Sequence, residues 1–196
     1  MDFEEKTIKR TDIFHGKIID VKLDEVELPN GKGFSSRELV FHPGGVSVLA
    51  ITPDDKMILV RQFRKALEKV IYEVPAGKLE PGENADLSAA ILRELEEETG
   101  YTAQKVEKVA TFYVSPGFAN EIHHLFLATG LEKVPNPRPA DADEQIELLE
   151  LSFEEVQKLR AEGEIEDAKT LIALQHWELM RLRQEKIDKN EWHFGR

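Results

Sequence analysis

Cysteine is absent from the 196 residues. That removes disulfides, thiolate zinc sites and thiol nucleophiles together, leaves any bound metal to oxygen or imidazole ligands, and fits a reducing cytoplasm. Positive charge is scarce: 26 Lys and Arg stand against 38 Asp and Glu, a formal net charge of −12. With no basic stripe to release counterions, a nucleic-acid partner is not expected. A phosphorylated substrate would need local countercharge from metal ions and a few arginines. Long apolar runs are missing too. The opening MDFEEKTIKR lacks the apolar core of a signal peptide, and no run reaches the length of a membrane span. A soluble cytoplasmic protein with no membrane partner is therefore expected.

The 41% hydrophobic content suffices for one well-packed domain plus a modest extension. Residues 1–43 suggest that extension. Ile19, Val21 and Leu23 alternate with polar residues, Pro29-Asn30-Gly31 gives a turn, and Ser35 to Phe41 forms a second arm. A two-stranded element cannot fold alone, so it should pack on the main domain or on a second subunit. The main domain is expected over 44–184, with 185–196 a polar, mobile tail. Val46 to Ile51 and Met57 to Gln62 are apolar enough for strands around a turn, and Val70 to Val74 leads into a glycine loop. Further strands are expected near Val106–Tyr113, His123–Ala128 and Ile146–Leu151. Ser152 with Glu155 has capping-box spacing, and Asp167 caps a last long helix whose apolar face is assigned to Leu171, Ile172, Leu174, Leu179 and Leu182, with Trp177 and Met180 as further packing. This alternation predicts an α/β fold, a mixed β-sheet sandwiched between helices.

The chemistry concentrates in 77–101, GKLEPGENADLSAAILRELEEETGY. On a helix, Glu94, Glu97 and Glu98 are offset by zero, three and four positions, so their carboxylates share a face. Each like-charged pair at that spacing opposes an isolated helix by roughly 0.2–0.5 kcal/mol, which a bound divalent cation would reverse. Ile91, Leu92 and Leu95 lie on the arc beside them, placing the triad against the core, whereas Glu96 projects toward solvent. Gly100 supplies a left-handed stop.

Gly77, Glu83, Arg93, Glu94, Leu95, Glu97, Glu98, Gly100 and Tyr101 occur in the order of the Nudix hydrolase box, which this segment resembles. The family's seven residues between loop glutamate and arginine are nine here, Asn84 to Leu92, implying a longer loop or a later helix start. The resemblance implies the Nudix α/β/α sandwich with an N-terminal antiparallel β extension. It implies metal ligation by Glu94, Glu98 and the Ala76 carbonyl, with Glu97 in the same cluster and Arg93 orienting the carboxylates. Oxygen-only ligation at glutamates favours Mg²⁺, with Mn²⁺ as a substitute.

Sixteen positions beyond Gly100, Ser115-Pro116-Gly117-Phe118-Ala119-Asn120-Glu121 resembles the loop that marks ADP-ribose pyrophosphatases within that family. The likeness implies ADP-ribose as substrate, Mg²⁺-dependent hydrolysis to AMP and ribose 5-phosphate, and substrate contacts from Pro116, Gly117, Glu121 and Arg64. It also implies a homodimer whose N-terminal strands cross, bringing Arg37 and Glu38 to the partner's site. Relatives carry Asp-Glu-Asp-Glu where this chain has Asp141-Ala142-Asp143-Glu144. Glu144 then matches a metal ligand or a residue near the catalytic base. With Ala142 in place of a glutamate, Asp141, Asp143 or Glu144 acts, or metal activation alone suffices. The alternatives are another nucleoside diphosphate derivative as substrate, or a catalytically silent nucleotide-binding module. None of the six histidines shows paired metal spacing, and none is assigned to catalysis.

Overall fold

The computed structural model describes residues 2–139 and 145–194, with side chains through 187. The N-terminal unit is a three-stranded antiparallel meander, β1 (Lys6–His15), β2 (Asp20–Glu27) and β3 (Phe34–Phe41). Sequence reading expected two strands. β1 escaped it because every one of its residues is exposed, so burial leaves no alternating signature. Polar pairing holds this strand instead: Arg10 donates through Nε and Nη2 to the buried Asp24 at 2.7 Å each, and Thr7 adds a third bond to Asp24 at 3.1 Å. The assigned Ile19, Val21 and Leu23 are only half-buried, and Val26 is the fully buried apolar residue of β2.

Two further sheets build the main domain. A mixed sheet runs β7 (Ala76–Lys78), β4 (Gly45–Ala50), β9 (Ile122–Lys133), β8 (Tyr101–Tyr113), with only β4 and β9 parallel. An antiparallel sheet runs β10 (Ile146–Ser152), β5 (Lys56–Arg64), β6 (Lys69–Glu73). The start of the anticipated glycine loop is thus a short strand, registering Val46 with Gly77 and Ser47 with Ala76.

Alternation along β4 divides the core, because successive side chains point to opposite faces. Val46, Val48 and Ala50 face helix α1 (Leu87–Thr99), meeting Ala90, Ile91 and Leu95. Leu49 belongs to a second cluster with Met57, Leu59, Leu125, Val156 of helix α2 (Phe153–Ala161), and Ala173, Leu174 and Trp177 of helix α3 (Ala168–Phe194). Helices therefore cover both sides of the mixed sheet, as expected. The Ser152–Glu155 capping box is formed. The apolar face of α3 is phased differently from the expectation: Trp177 is 2% exposed whereas Leu179 and Leu182 are about half exposed. The chain beyond Gln184, expected as a mobile tail, continues α3 to Phe194.

Candidate active site

Asp86 starts α1 by accepting hydrogen bonds from the Ser88 and Ala89 N–H groups, and Gly100 ends it with φ +69°. The two extra residues before Arg93 are accommodated by a 3₁₀ turn at Glu83–Ala85. Glu83 still reaches Arg93, accepting from Nε at 2.9 Å and from Nη2 at 3.0 Å. Arg93 Nη1 donates to Glu97 at 2.7 Å, and Nη2 lies 2.9 Å from Glu94. One guanidinium, 17% exposed, thus binds three carboxylates. Hydrogen bonding to Glu83 and the nearby acids raise its pKa further above the ordinary arginine range. The reciprocal bonds from Arg93 hold Glu83 below the usual carboxylate range.

Glu94 is buried and lies against Gly77 so closely that a Cβ there would fall 1.9–2.2 Å from its carboxyl atoms. Only glycine permits that approach. Glu98 Oε2 accepts the Ala76 N–H at 2.9 Å, tying the helix to β7. Glu96 does not face solvent freely: its side chain is 21% exposed, and it accepts the Arg138 N–H at 3.0 Å, because residues 134–139, with prolines at 135, 137 and 139, pass over that part of α1.

Among the described residues, no three or more His, Asp or Glu side chains are gathered into a metal cage. The local chemistry nevertheless fits a hard divalent cation. Glu94 and Glu98 offer oxygen only, Ala76 brings its backbone beside Glu98, and the Cβ-sized space at Gly77 is kept for a carboxylate.

Beside this cluster lies a cleft of about 640 Å³ whose lining includes Arg64, Ala76, Gly77, Glu121, His123 and Lys169. Buried Glu73 organises its cationic side, accepting from Arg64 Nε and Nη2 at 2.6 and 3.1 Å and from Lys169 Nζ at 2.6 Å. Lys169, like Gln62, His42 and His123 in the same cleft, was not singled out from the sequence. Its signal was its place two residues after the helix cap Asp167, which accepts from Lys169 at 3.0 Å and from the Thr170 N–H at 2.9 Å.

Arg64, Ala76 and Glu121 thus meet at one cleft beside Glu94 and Glu98. Pro116 lies elsewhere, in a smaller recess of about 360 Å³ with Val40, Phe41, Tyr113 and Phe118. Its loop is docked on β3: Val40 N–H donates to Phe118 O at 2.8 Å, Asn120 N–H donates to Val40 O at 3.1 Å, and Asn120 Oδ1 accepts the His42 N–H at 2.8 Å. Exposed Gly117 sits in that loop. Arg37 and Glu38 line neither recess as described. Arg37 is bound to Glu5 by Nε and Nη2 at 2.8 and 2.5 Å, and Glu38 is exposed. Glu144 and its neighbours Asp141 and Asp143 lie outside the described residues.

The NUDIX domain family model matches residues 41–174, and that of the nucleoside diphosphate sugar hydrolase N-terminal domain matches residues 5–40. The chain is 53% identical to the ADP-ribose pyrophosphatase of Bacillus subtilis (strain 168), over 92% of this chain and 96% of that protein. It is 50% identical to the methanol dehydrogenase activator of Bacillus methanolicus, over 94% and 98%. A crystal structure of an ADP compounds hydrolase shares the fold, with TM-score 0.79 and 18% identity over 94% of this chain and 98% of that one. The carboxylate helix, the glycine that admits Glu94 and the adjoining cleft therefore belong to a Nudix hydrolase. The chain is a member of that family, a hydrolase acting on phosphoanhydride bonds of nucleoside diphosphate compounds with a divalent metal ion.

Proposed function

We propose that the protein hydrolyses ADP-ribose to AMP and ribose 5-phosphate, using Mg²⁺ with Mn²⁺ as a substitute, as a cytoplasmic homodimer. The observation that carries the chemistry is the convergence of Glu94, Glu98 and Ala76 at the edge of a cleft whose other side is cationic. Similarity to the Bacillus subtilis enzyme supports the choice of substrate.

Glu94, Glu98 and the Ala76 carbonyl would hold the ion, which when bound supplies charge neutralisation of the diphosphate and Lewis acidity. Arg93 orients the carboxylates, with Glu97 shared between the guanidinium and the cluster. Arg64 and Lys169 face the diphosphate, their positions set by Glu73. Water attacks one phosphorus and the bridging P–O bond breaks. Glu144 is assigned as ligand or as acceptor of the water proton, Glu121 as a ribose or adenine-side contact, and Pro116 and Gly117 as shapers of that side.

Residues 1–43 are assigned as the dimer element, 44–184 as the hydrolase domain and 185–196 as a polar appendage. Ile8, Ile13, Phe14 and Phe34 leave apolar surface on the meander that a second copy would cover, placing Arg37 and Glu38 near the partner's cleft. The test is chromatographic: ADP-ribose with Mg²⁺ yields AMP and ribose 5-phosphate, with a higher kcat/KM than nucleoside triphosphates. A clear preference for triphosphates would overturn the substrate while leaving the metal chemistry standing. A second reading rests on the Bacillus methanolicus relative, named a methanol dehydrogenase activator: this chain would raise the turnover of an alcohol dehydrogenase. Adding it to such a dehydrogenase, with and without Glu98→Gln, separates the two.

A further inference from the structure

His42 stands one residue beyond β3, where the N-terminal meander passes into the hydrolase domain, and it lines the cleft together with Glu121. Its backbone N–H is tied to Asn120 Oδ1 at 2.8 Å, and its ring is fixed from another side, Nδ1 accepting the Gly44 N–H at 3.1 Å. Gly44 is itself held, with φ +96° and no room for a Cβ, which would fall 2.9 Å from the Ile122 carbonyl oxygen. These bonds decide the tautomer. A ring nitrogen that accepts a backbone N–H carries no proton, so the neutral imidazole has its proton on Nε2.

That Nε2–H has no acceptor among the described residues, yet it is open to approach. His123 in the same cleft shows the contrast. Registered with Gly45, it has both ring nitrogens enclosed, and burial pushes its pKa down to about 4, so it serves as a neutral part of the wall rather than as a contact. Beside His42 stands the Glu121 carboxylate, with Oε1 4.0 Å from Nδ1, too far for a hydrogen bond and with no Lys or Arg partner among the described residues. The two side chains thus present one N–H donor and one anionic acceptor next to each other. A phosphate oxygen taking the donor would bring its negative charge against an acid that no neighbouring cation neutralises. Adjacent hydroxyls suit both groups, because one accepts from Nε2–H while the other donates to the carboxylate.

We propose that His42 is a specificity contact whose Nε2–H donates to one hydroxyl of a ribose while Glu121 accepts from the next, the two residues together clamping the diol of a nucleoside diphosphate sugar. The inference rests on the reading of this cleft as the site of nucleoside diphosphate sugar hydrolysis. Both nitrogens of His42 are then paired, one to Gly44 and one to the sugar. A clamp of this kind discriminates against analogues that lack the hydroxyls, since its own polar groups are then left without partners.

ADP-ribose carries two riboses and hydrolysis parts them, so inhibition by AMP and by ribose 5-phosphate tells which one is held. Two substitutions separate contact from scaffold. In His42→Asn the amide oxygen takes the place of Nδ1 toward Gly44, whereas in His42→Gln the amide nitrogen reaches the place of Nε2. His42→Asn should raise the inhibition constant of one product about tenfold, the scale of one lost hydrogen bond, and leave the other within about twofold. His42→Gln should recover part of that loss. The 2,3-dideoxy counterpart of the affected product should bind His42→Asn and the wild type alike, because the contact is already missing. Equal changes for both products, or no change for either, would overturn the proposal. So would a greater loss in His42→Gln than in His42→Asn, which would make the ring an anchor of the Gly44 loop alone. Should His42→Asn fail to fold by circular dichroism, the same constants are read from His42→Gln and Glu121→Gln, and unchanged values for both products in both variants are the refuting result. Failure of the wild-type protein to cleave ADP-ribose refutes the underlying activity instead.

Discussion

Replacing Gly77 by alanine tests the carboxylate geometry without removing any charge. The new Cβ would lie 1.9 Å from Glu94 Cδ, and moving from there to the 3.4 Å at which ordinary contact begins is a retreat of about 1.5 Å. Misplacement of a catalytic group by about 1 Å costs on the order of 10²-fold in rate. Gly77→Ala is therefore expected to lower kcat by at least ~10²-fold. Overpacking also costs about 1–3 kcal/mol of stability, so thermal melts accompany the steady-state kinetics, and rates are measured where both proteins are folded. The double variant with Glu94→Asp sharpens the test. Shortening the acid by one methylene relieves the contact, so alanine at 77 should cost much less in that background than in the wild type. An equal cost in both backgrounds, or a wild-type kcat for Gly77→Ala, refutes the claim that this glycine exists to admit Glu94.

Glu94→Gln and Glu98→Gln should each reduce kcat by about 10²-fold or more by removing charge from the metal site, while Glu96→Gln, which touches Arg138 instead, should change kcat far less; steady-state assays decide it. Arg93→Met removes the cation shared by three carboxylates and should destabilise the fold by about 2–4 kcal/mol in urea titrations, against less than ~1 kcal/mol for Lys9→Met in the exposed pair with Glu25. His123 titrates near 6.5 when unfolded and about 4 when folded, so the unfolded chain binds more protons between those values. Its contribution to stability is complete above pH 6.5 and is lost as pH falls toward 4; His123→Leu should flatten that part of a melting-temperature profile, and an unchanged slope would count against the assignment. Sedimentation at micromolar concentration should give a dimer, and a fully active monomer would remove Arg37 and Glu38 from the site.

The carboxylate face was legible because helical periodicity alone places Glu94, Glu97 and Glu98 together, and Arg93 four residues before Glu97 completes the hub. The strands β4 and β5 were equally plain, since central strands buried on both faces are continuous apolar runs. Other features depended on tertiary neighbours. β1 buries nothing and is held by pairing and by Arg10. The apolar residues of α3 outnumber those its neighbours can cover, so composition alone could not show that Leu179 and Leu182 stay exposed while Trp177 packs edge-on against Phe153 at 5.1 Å. His123, within the apolar run Ile122 to Ala128, looks like one more core residue until Gly45 is seen across from it. Glu144 lies outside the described residues, and its role stands on the acidic run alone.

The seam between β3 and the Pro116 loop gives this architecture a way to diversify. Because Phe118 and Asn120 take their places from the backbone of Val40, the shape of that recess is inherited from the N-terminal meander, whereas bond cleavage is inherited from α1. Substitutions at Leu39 or Phe41 should thus reshape the Pro116 recess without moving any carboxylate of α1, so that on the proposed reading the range of accepted nucleotide compounds can change while the hydrolytic machinery stays in place.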